Sequence, residues 1–208
     1  MGINTCLQVF YTSMEKSEKI LDPLIQNIRK SVAITDKDLD IVLDAFKLKI
    51  LSKKEILLFK GKVSNHMRFI VDGCLRSYYI GDDAEEYIIQ FGIRGWWIND
   101  LYSYLTETPG TSFVQAIQPS LVLQIHRDRL NELYDNIPPI ERFFRIKFQN
   151  AYVALQERTL DRMSLSAKER YENFSKKYRD IEQSVPQYMI ASYLNVTPEF
   201  LSSVRGEK

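Results

Sequence analysis

The segment from 187 to 205 constrains the fold of this chain more than any other, because its pattern predicts two short helices joined by a tight turn. Ile190 and Leu194 form an apolar stripe, and the small Ala191 allows a second helix to cross closely. Asn195 follows, and Asn tolerates the left-handed conformation that such turns use. The pattern predicts a helical hairpin with a sharp turn.

The second helix of this hairpin has three start signals and an outward face. Thr197 supplies a capping hydroxyl, Pro198 suits the first helical position, and Glu199 complements the positive end of the helix dipole. Leu201 and Val204 are expected to face the core. Residues Thr197, Pro198, Glu199, Ser202 and Ser203 are then expected to face outward. This layout is that of a helix-turn-helix, whose second helix enters the DNA major groove, and the segment alone fits an ordinary helical hairpin equally well.

Composition limits what such a hairpin could bind. The chain has 208 residues, 45% of them hydrophobic and 26% charged, as in an ordinary globular protein of one or two domains. The 28 basic and 27 acidic residues give a net charge of +1, so DNA binding would depend on a local patch and on two subunits acting together. The sequence shows neither a membrane span nor a signal peptide, and we expect a cytoplasmic protein without membrane contact.

The residues that carry chemistry do not cluster along the sequence. Cys6 and Cys74 are too few for a disulfide framework, and Cys74 is expected to be a small apolar residue in a strand. His66 and His126 are the only histidines and stand far apart, which disfavours a metalloenzyme on a β-barrel. No nucleophile elbow, phosphate loop or zinc-protease motif occurs. We expect no enzyme, no catalytic residue, no metal and no cofactor.

Before the hairpin, the pattern changes from helical to strand-rich. Helices are predicted over Glu15–Arg29 and after a capping box at residues 35–38. Seven short β runs follow between positions 49 and 125, with tight hairpins predicted at Asp72-Gly73 and at Gly81-Asp82-Asp83. The predicted fold class is therefore α+β, with an antiparallel β-roll or jelly roll behind N-terminal helices.

A long helix is predicted from about Ile140 to Met163, after an interruption at Pro138-Pro139. Its apolar residues are spaced 4, 4, 3 and 4 positions apart, close to a heptad seam. The seam consists of Ile140, Phe144, Phe148, Ala151 and Leu155. The helix could pack on its own barrel or pair with the same helix of a second subunit, and the breadth of its apolar surface favours a homodimer.

The order of these parts resembles the Crp/Fnr transcription regulators, over about residues 15–205. The most specific matching segments are 69–76, 113–116, 165–171 and 190–202, and they are similar to the short regulators of this type in Bacteroidetes. The resemblance implies a flexible tail at 1–13, a cyclic-nucleotide-binding-like effector domain at 14–139, a dimerisation helix at 140–163 and a DNA-binding domain at 164–208. Because the chain stops at Lys208, we expect no β-wing after the helix-turn-helix. The implied partners are double-stranded DNA with an inverted-repeat operator, a second copy of the chain, an unknown small-molecule effector and, as a further candidate, RNA polymerase.

The resemblance places an effector pocket at Trp97, Asn99, Asp100, Gly110, Thr111 and Ser112. Cyclic-nucleotide sensors of the family carry a glutamate for the ribose and an arginine for the cyclic phosphate. Here Asp100 could take the ribose role, but Gly110 stands where the arginine should be. An unneutralised phosphate in such a pocket is costly, so we expect that cyclic AMP is not the effector. For the neighbouring pair Trp96-Trp97, core packing is the favoured interpretation.

The recognition helix departs from the family pattern as well. Ser203 occupies a position where the family usually has an arginine that reads guanine, whereas Glu199 matches a position that accepts a hydrogen bond from cytosine. The predicted DNA-binding residues are Gln187, Thr197, Pro198, Glu199, Ser202, Ser203 and Arg205. We expect modest, salt-sensitive binding. The alternative is a dimeric ligand-binding or protein-interaction module that has lost strong DNA binding.

Overall fold

Two small antiparallel sheets form the centre of this α+β protein, and helices lie before and after them. The computed structural model describes residues 18–206, so the predicted tail at 1–13 and the first residues of the helix predicted from Glu15 lie outside the described residues. The helices are α1 Glu18–Arg29, α2 Asp36–Asp44, α3 Leu101–Thr106, α4 Arg127–Asn136, α5 Pro138–Ser164, α6 Ala167–Lys177, α7 Arg179–Ser184, α8 Gln187–Leu194 and α9 Pro198–Gly206. The strands are β1 Lys47–Leu51, β2 Ile56–Leu58, β3 His66–Asp72, β4 Cys74–Ile80, β5 Glu86–Ile93, β6 Phe113–Ala116 and β7 Ser120–His126.

The strands pair as β1-β7-β3 in one sheet and β2-β6-β4-β5 in the other. The predicted hairpin at Gly81-Asp82-Asp83 is confirmed, because it joins the antiparallel pair β4 and β5. The hairpin predicted at Asp72-Gly73 is wrong, because β3 pairs with β7 whereas β4 pairs with β5 and β6. The turn instead carries the chain from one sheet to the other. Gly73 has φ +99°, and a Cβ there would lie 2.2 Å from the Ser120 hydroxyl oxygen, so this close crossing requires glycine.

Apolar side chains form three clusters around this pair of sheets. The first lies between the sheets and includes Ile70 and Val114, both fully buried. The second joins β3 and β7 to helices α1, α2, α4 and the first turns of α5. The third joins β4 and β5 to helices α6–α9, and it contains the fully buried Cys74, as predicted for this residue. Burial raises the pKa of the Cys74 thiol to about 12, so the group stays protonated.

Side-chain hydrogen bonds cap the starts of two helices, and the first of these caps is the one predicted at residues 35–38. Thr35 caps α2 by accepting a hydrogen bond from the Asp38 N–H at 3.1 Å. Ser166 and Glu169 form a full capping box at the start of α6, in which each side chain accepts from the other residue's N–H. Helices α3 and α7 were not predicted, because six residues are too few to show a helical period.

Candidate functional site

Helices α8 and α9 form the predicted helical hairpin. Asn195 ends α8 with φ +56°, the left-handed conformation expected for it. The Thr197 hydroxyl caps α9 by accepting from the Phe200 N–H at 3.2 Å. Ile190 and Leu201 are fully buried between the two helices and the rest of the domain. The local sequence therefore determines both the turn and the direction of the second helix.

The outward face of this hairpin is accessible. All the predicted DNA-binding residues are exposed, namely Gln187, Thr197, Pro198, Glu199, Ser202, Ser203 and Arg205. Two aromatic side chains that the sequence reasoning missed, Tyr188 and Phe200, are 53% and 37% exposed on the same two helices. A surface of this kind can offer hydrogen-bond donors, one carboxylate and one guanidinium to a groove.

Helix α8 is attached to β5, which lies at the edge of its sheet. The Ser192 hydroxyl accepts from the Ile88 N–H at 3.0 Å and donates to the Glu86 carbonyl at 2.8 Å. The Ser192 side chain therefore bonds to one backbone N–H and one carbonyl of an edge strand. These two groups would otherwise lack a partner on that side of the strand. The helical pattern of the sequence did not predict this role of Ser192, because its partner strand lies about a hundred residues earlier in the chain.

The predicted effector residue Asp100 is bonded within its own domain. Its carboxylate accepts from the Ser103 N–H at 3.0 Å, which caps α3, and from the Ser112 hydroxyl at 2.6 Å. Gly110 is buried beside it, and a Cβ at that position would lie 2.4 Å from an Asp100 carboxylate oxygen. Gly110 thus provides the space that the carboxylate occupies.

A crevice of about 500 Å³ opens between the β-roll, helix α5 and the C-terminal helices. Four predicted effector residues line one end of it, namely Asn99, Asp100, Thr111 and Ser112. Trp97 lies elsewhere: its ring is 5.2 Å from Phe69 and 5.0 Å from Phe144, within the core of the domain. This agrees with core packing for Trp97, whereas its neighbour Trp96 lines the crevice.

The predicted heptad seam of α5 faces the protein's own body. Ile140 and Phe144 are buried in the core beside β3, and Phe148 packs partly against the same cluster. Ala151 and Leu155 line the crevice, where Leu155 is 53% exposed. Ile140 and Phe144 therefore have no accessible surface for a second subunit, because the adjoining core of their own domain covers them.

A different apolar surface of α5 is open to solvent. We call it the outer stripe, and it consists of Tyr152, Val153, Leu160 and Met163, which are 61%, 50%, 62% and 81% exposed. At about 100° per residue these four side chains share one face, roughly opposite the face that lines the crevice. The heptad spacing predicted from the sequence does not separate these two faces of the helix.

The expectation that the two histidines stand far apart is wrong, because the fold brings them together. His66 and His126 are register partners on β3 and β7, and their ring centroids are 4.9 Å apart. Burial, followed by the nearby Arg68, lowers the pKa of His66 to about 4, so its ring is neutral at physiological pH. Within residues 18–206, no three His, Cys, Asp or Glu side chains are close enough together to hold a metal ion. In that same range, no helix has the length and apolar character needed to cross a bilayer.

Comparison with known proteins agrees with this architecture. Residues 48–136 match the model of the cyclic nucleotide-binding domain. The chain is 27% identical over 171 residues to an anaerobic regulatory protein of Haemophilus influenzae, a match that covers 76% of this chain and 65% of the relative. The chain therefore spans less than two thirds of that relative. The fold also matches two solved structures. These comparisons show that the chain is similar to regulators of the Crp/Fnr type.

The first of these structures is FixK2 from Bradyrhizobium japonicum, with a TM-score of 0.68 and 18% identity over 78% of this chain and 83% of that one. The second is a putative transcriptional regulator of the Crp/Fnr family from Eubacterium rectale, with a TM-score of 0.64 and 13% identity over 84% and 83% of the two chains. At these identities the structures support the fold of this chain and not the details of its sites.

Proposed function

We propose that this chain is a cytoplasmic, dimeric, DNA-binding transcription regulator of the Crp/Fnr type without enzymatic activity. The exposed outward face of α9, built on a properly capped helical hairpin, is the observation that carries the proposal. In a helix-turn-helix this face contacts base edges in the major groove. Glu199 is the proposed base-reading residue, and Arg205, Gln187 and Thr197 are proposed to contact phosphates.

The proposed dimer brings two such faces to inverted half-sites about one helical turn apart. The outer stripe of α5 supports it, because four large apolar side chains on one helix face are exposed in a single subunit. The proposed division of labour is an effector domain at 14–139, a dimerisation helix at 140–163 and a DNA-binding domain at 164–208.

The proposed effector is not cyclic AMP. A ribose would have to displace Ser112 or Ser103 from the Asp100 carboxylate, and the position beside it offers Gly110 instead of a guanidinium. Calorimetry with cyclic AMP should therefore detect no binding at micromolar concentrations, and clear micromolar binding would refute this part of the proposal.

A second candidate function is a dimeric ligand-binding or protein-interaction module. One observation favours it: between positions 187 and 206, Arg205 is the only lysine or arginine, and Glu199 offsets its charge. Phosphate neutralisation usually supplies most of the affinity for DNA. Strong binding to DNA would exclude this candidate.

Selection from random duplexes, with binding measured at low and high salt, tests the two functions. We expect Glu199→Ala to relax the preference at one base pair per half-site, at a cost of about 1–3 kcal/mol. Arg205→Ala should weaken binding to all sequences about equally and flatten the salt dependence. Glu141→Ala, an exposed acid at the start of α5, is the control and should bind as the wild type does. If the purified protein binds no DNA duplex at low salt, the DNA-binding function is refuted and the second candidate function replaces it.

A further inference from the structure

Three arginines line the crevice where α5, α6 and α8 come together: Arg158, Arg162 and Arg170. Each donates a hydrogen bond to a backbone carbonyl. Arg158 bonds to the carbonyl of Ile89 on β5, Arg162 to that of Tyr193 at 3.2 Å, and Arg170 to that of Leu165 at 2.8 Å. We call these three residues the arginine cluster.

Within the described part of the chain, 18–206, no carboxylate forms an ion pair with the arginine cluster. Lys177 and Glu157 line the same crevice, but they are paired with each other at 3.2 Å. Asp161 is the acid left on that wall, so the arginines outnumber it by three to one. The wall therefore carries an excess of positive charge facing an open volume.

Two further observations show that this charge is incompletely satisfied. The Arg170 Nε atom is shielded from solvent and has no hydrogen-bond partner. Burial, followed by repulsion from Arg158, lowers the pKa of Arg162. Guanidinium groups gain most from planar anions that accept two hydrogen bonds at once, such as a carboxylate, sulfonate or phosphate.

The wall beside the arginine cluster is aromatic. The Tyr193 ring lies 5.4 Å from Phe91 and 5.6 Å from Phe174, and the Arg158 guanidinium lies 5.1 Å from the same Tyr193 ring. Trp96 and Tyr178 extend this surface with a ring separation of 5.8 Å. Flat apolar groups can stack on such a surface.

We propose that the crevice binds an amphipathic organic anion. Its apolar body lies against Phe91, Phe174 and Tyr193, and its acidic group bonds to the arginine cluster. This inference rests on the proposed sensing role and deepens it, because it assigns the ligand's charge to the α5–α6 end of the crevice and not to Asp100 and Gly110. The carbonyls now bonded to Arg158 and Arg162 belong to β5 and α8, so ligand binding would exchange contacts that join α5 to the β-roll and to the helix-turn-helix.

Two fluorescent probes of similar shape test the charge requirement. 8-Anilinonaphthalene-1-sulfonate carries a sulfonate, whereas N-phenyl-1-naphthylamine is its neutral counterpart. We expect the full chain to bind the sulfonate more tightly, and Arg162→Gln and Arg170→Gln each to weaken that binding about tenfold, as for loss of one bond to a charged group. The neutral probe should bind these variants unchanged, which also shows that the crevice is intact.

Arg145→Gln is the matched control, because Arg145 is exposed on the same helix and lies outside the crevice. Equal affinity of the wild type for the two probes would overturn the proposal, and so would an equal loss of sulfonate binding in Arg145→Gln. If both glutamine variants also fail to bind the neutral probe, the salt dependence of the wild type provides the test. Added salt must then weaken binding of the sulfonate probe and leave binding of the neutral probe unchanged. All these measurements omit DNA, so they succeed or fail independently of DNA recognition.

Discussion

The two halves of helix α5 have similar apolar spacing but different surroundings. In the first half, Phe144 is 2% exposed, with its ring 5.0 Å from Trp97 and 5.1 Å from Phe143. In the second half, Leu155 continues the same seam but is 53% exposed at the crevice. The difference teaches that a heptad seam identifies the apolar positions of a helix but not the surface that buries them. Burial depends on which other elements pack against the helix.

The second half also shows what a single subunit leaves uncovered. Among residues 18–206, no apolar neighbour buries the outer stripe, whereas Ile140 on the first half is completely buried. Exposed apolar side chains on one helix face are typical of a protein–protein interface. The first half is thus expected to determine the stability of the subunit, and the second half its association.

The largest expected effect is on the first half. Phe144→Ala should lower the free energy of unfolding by about 3–5 kcal/mol, because it leaves a cavity among packed aromatic rings. Urea denaturation followed by circular dichroism measures this. Leu155→Ala, on the same seam, is the control and should cost about 1 kcal/mol or less. Equal losses in the two variants would show that the halves do not differ.

The next effect concerns the outer stripe. Val153→Glu combined with Leu160→Glu should raise the dissociation constant of the dimer at least about 100-fold, since burying one such side chain contributes roughly 1.5–3 kcal/mol. Light scattering should then detect monomers with a nearly unchanged unfolding midpoint. Asn131→Glu with Asn136→Glu adds the same two charges on exposed positions of α4 and should leave the mass unchanged. A dimer mass in the stripe variant would place the interface elsewhere.

The smallest effect is a pH dependence in the sheet beneath the first half of α5. The pKa of His66 is lowered to about 4 by burial, by Arg68, by His126 and by Lys47, in that order. In the unfolded chain His66 takes up a proton near its ordinary pKa of 6.5, so stability is complete above that pH and falls as pH drops to about 4. His66→Gln should flatten this part of the stability–pH curve, whereas Leu155→Ala should keep the wild-type dependence. Since the ring is half-buried, solvent screening keeps the change small.

Local signals in the sequence predicted the helical hairpin correctly. Asn195 and Thr197 act on backbone groups within four residues of themselves, so their roles can be read without knowing the rest of the fold. The β4–β5 turn was predicted for the same reason. The order of helices, strands and helices also follows from periodicity and spacing along the chain, and this order carries the resemblance to the Crp/Fnr regulators.

Contacts between distant segments were decided only by the tertiary structure. The sequence could not show that Asp72-Gly73 crosses between sheets, that His66 meets His126, or that Ser192 bonds to β5. Nor could it bring the arginine cluster to an aromatic wall contributed by β5, α6 and α8. The physical reason is the same in each case: turn and capping preferences are local, whereas the partner of a side chain depends on how whole elements pack, and that packing is determined by burial summed over the entire chain.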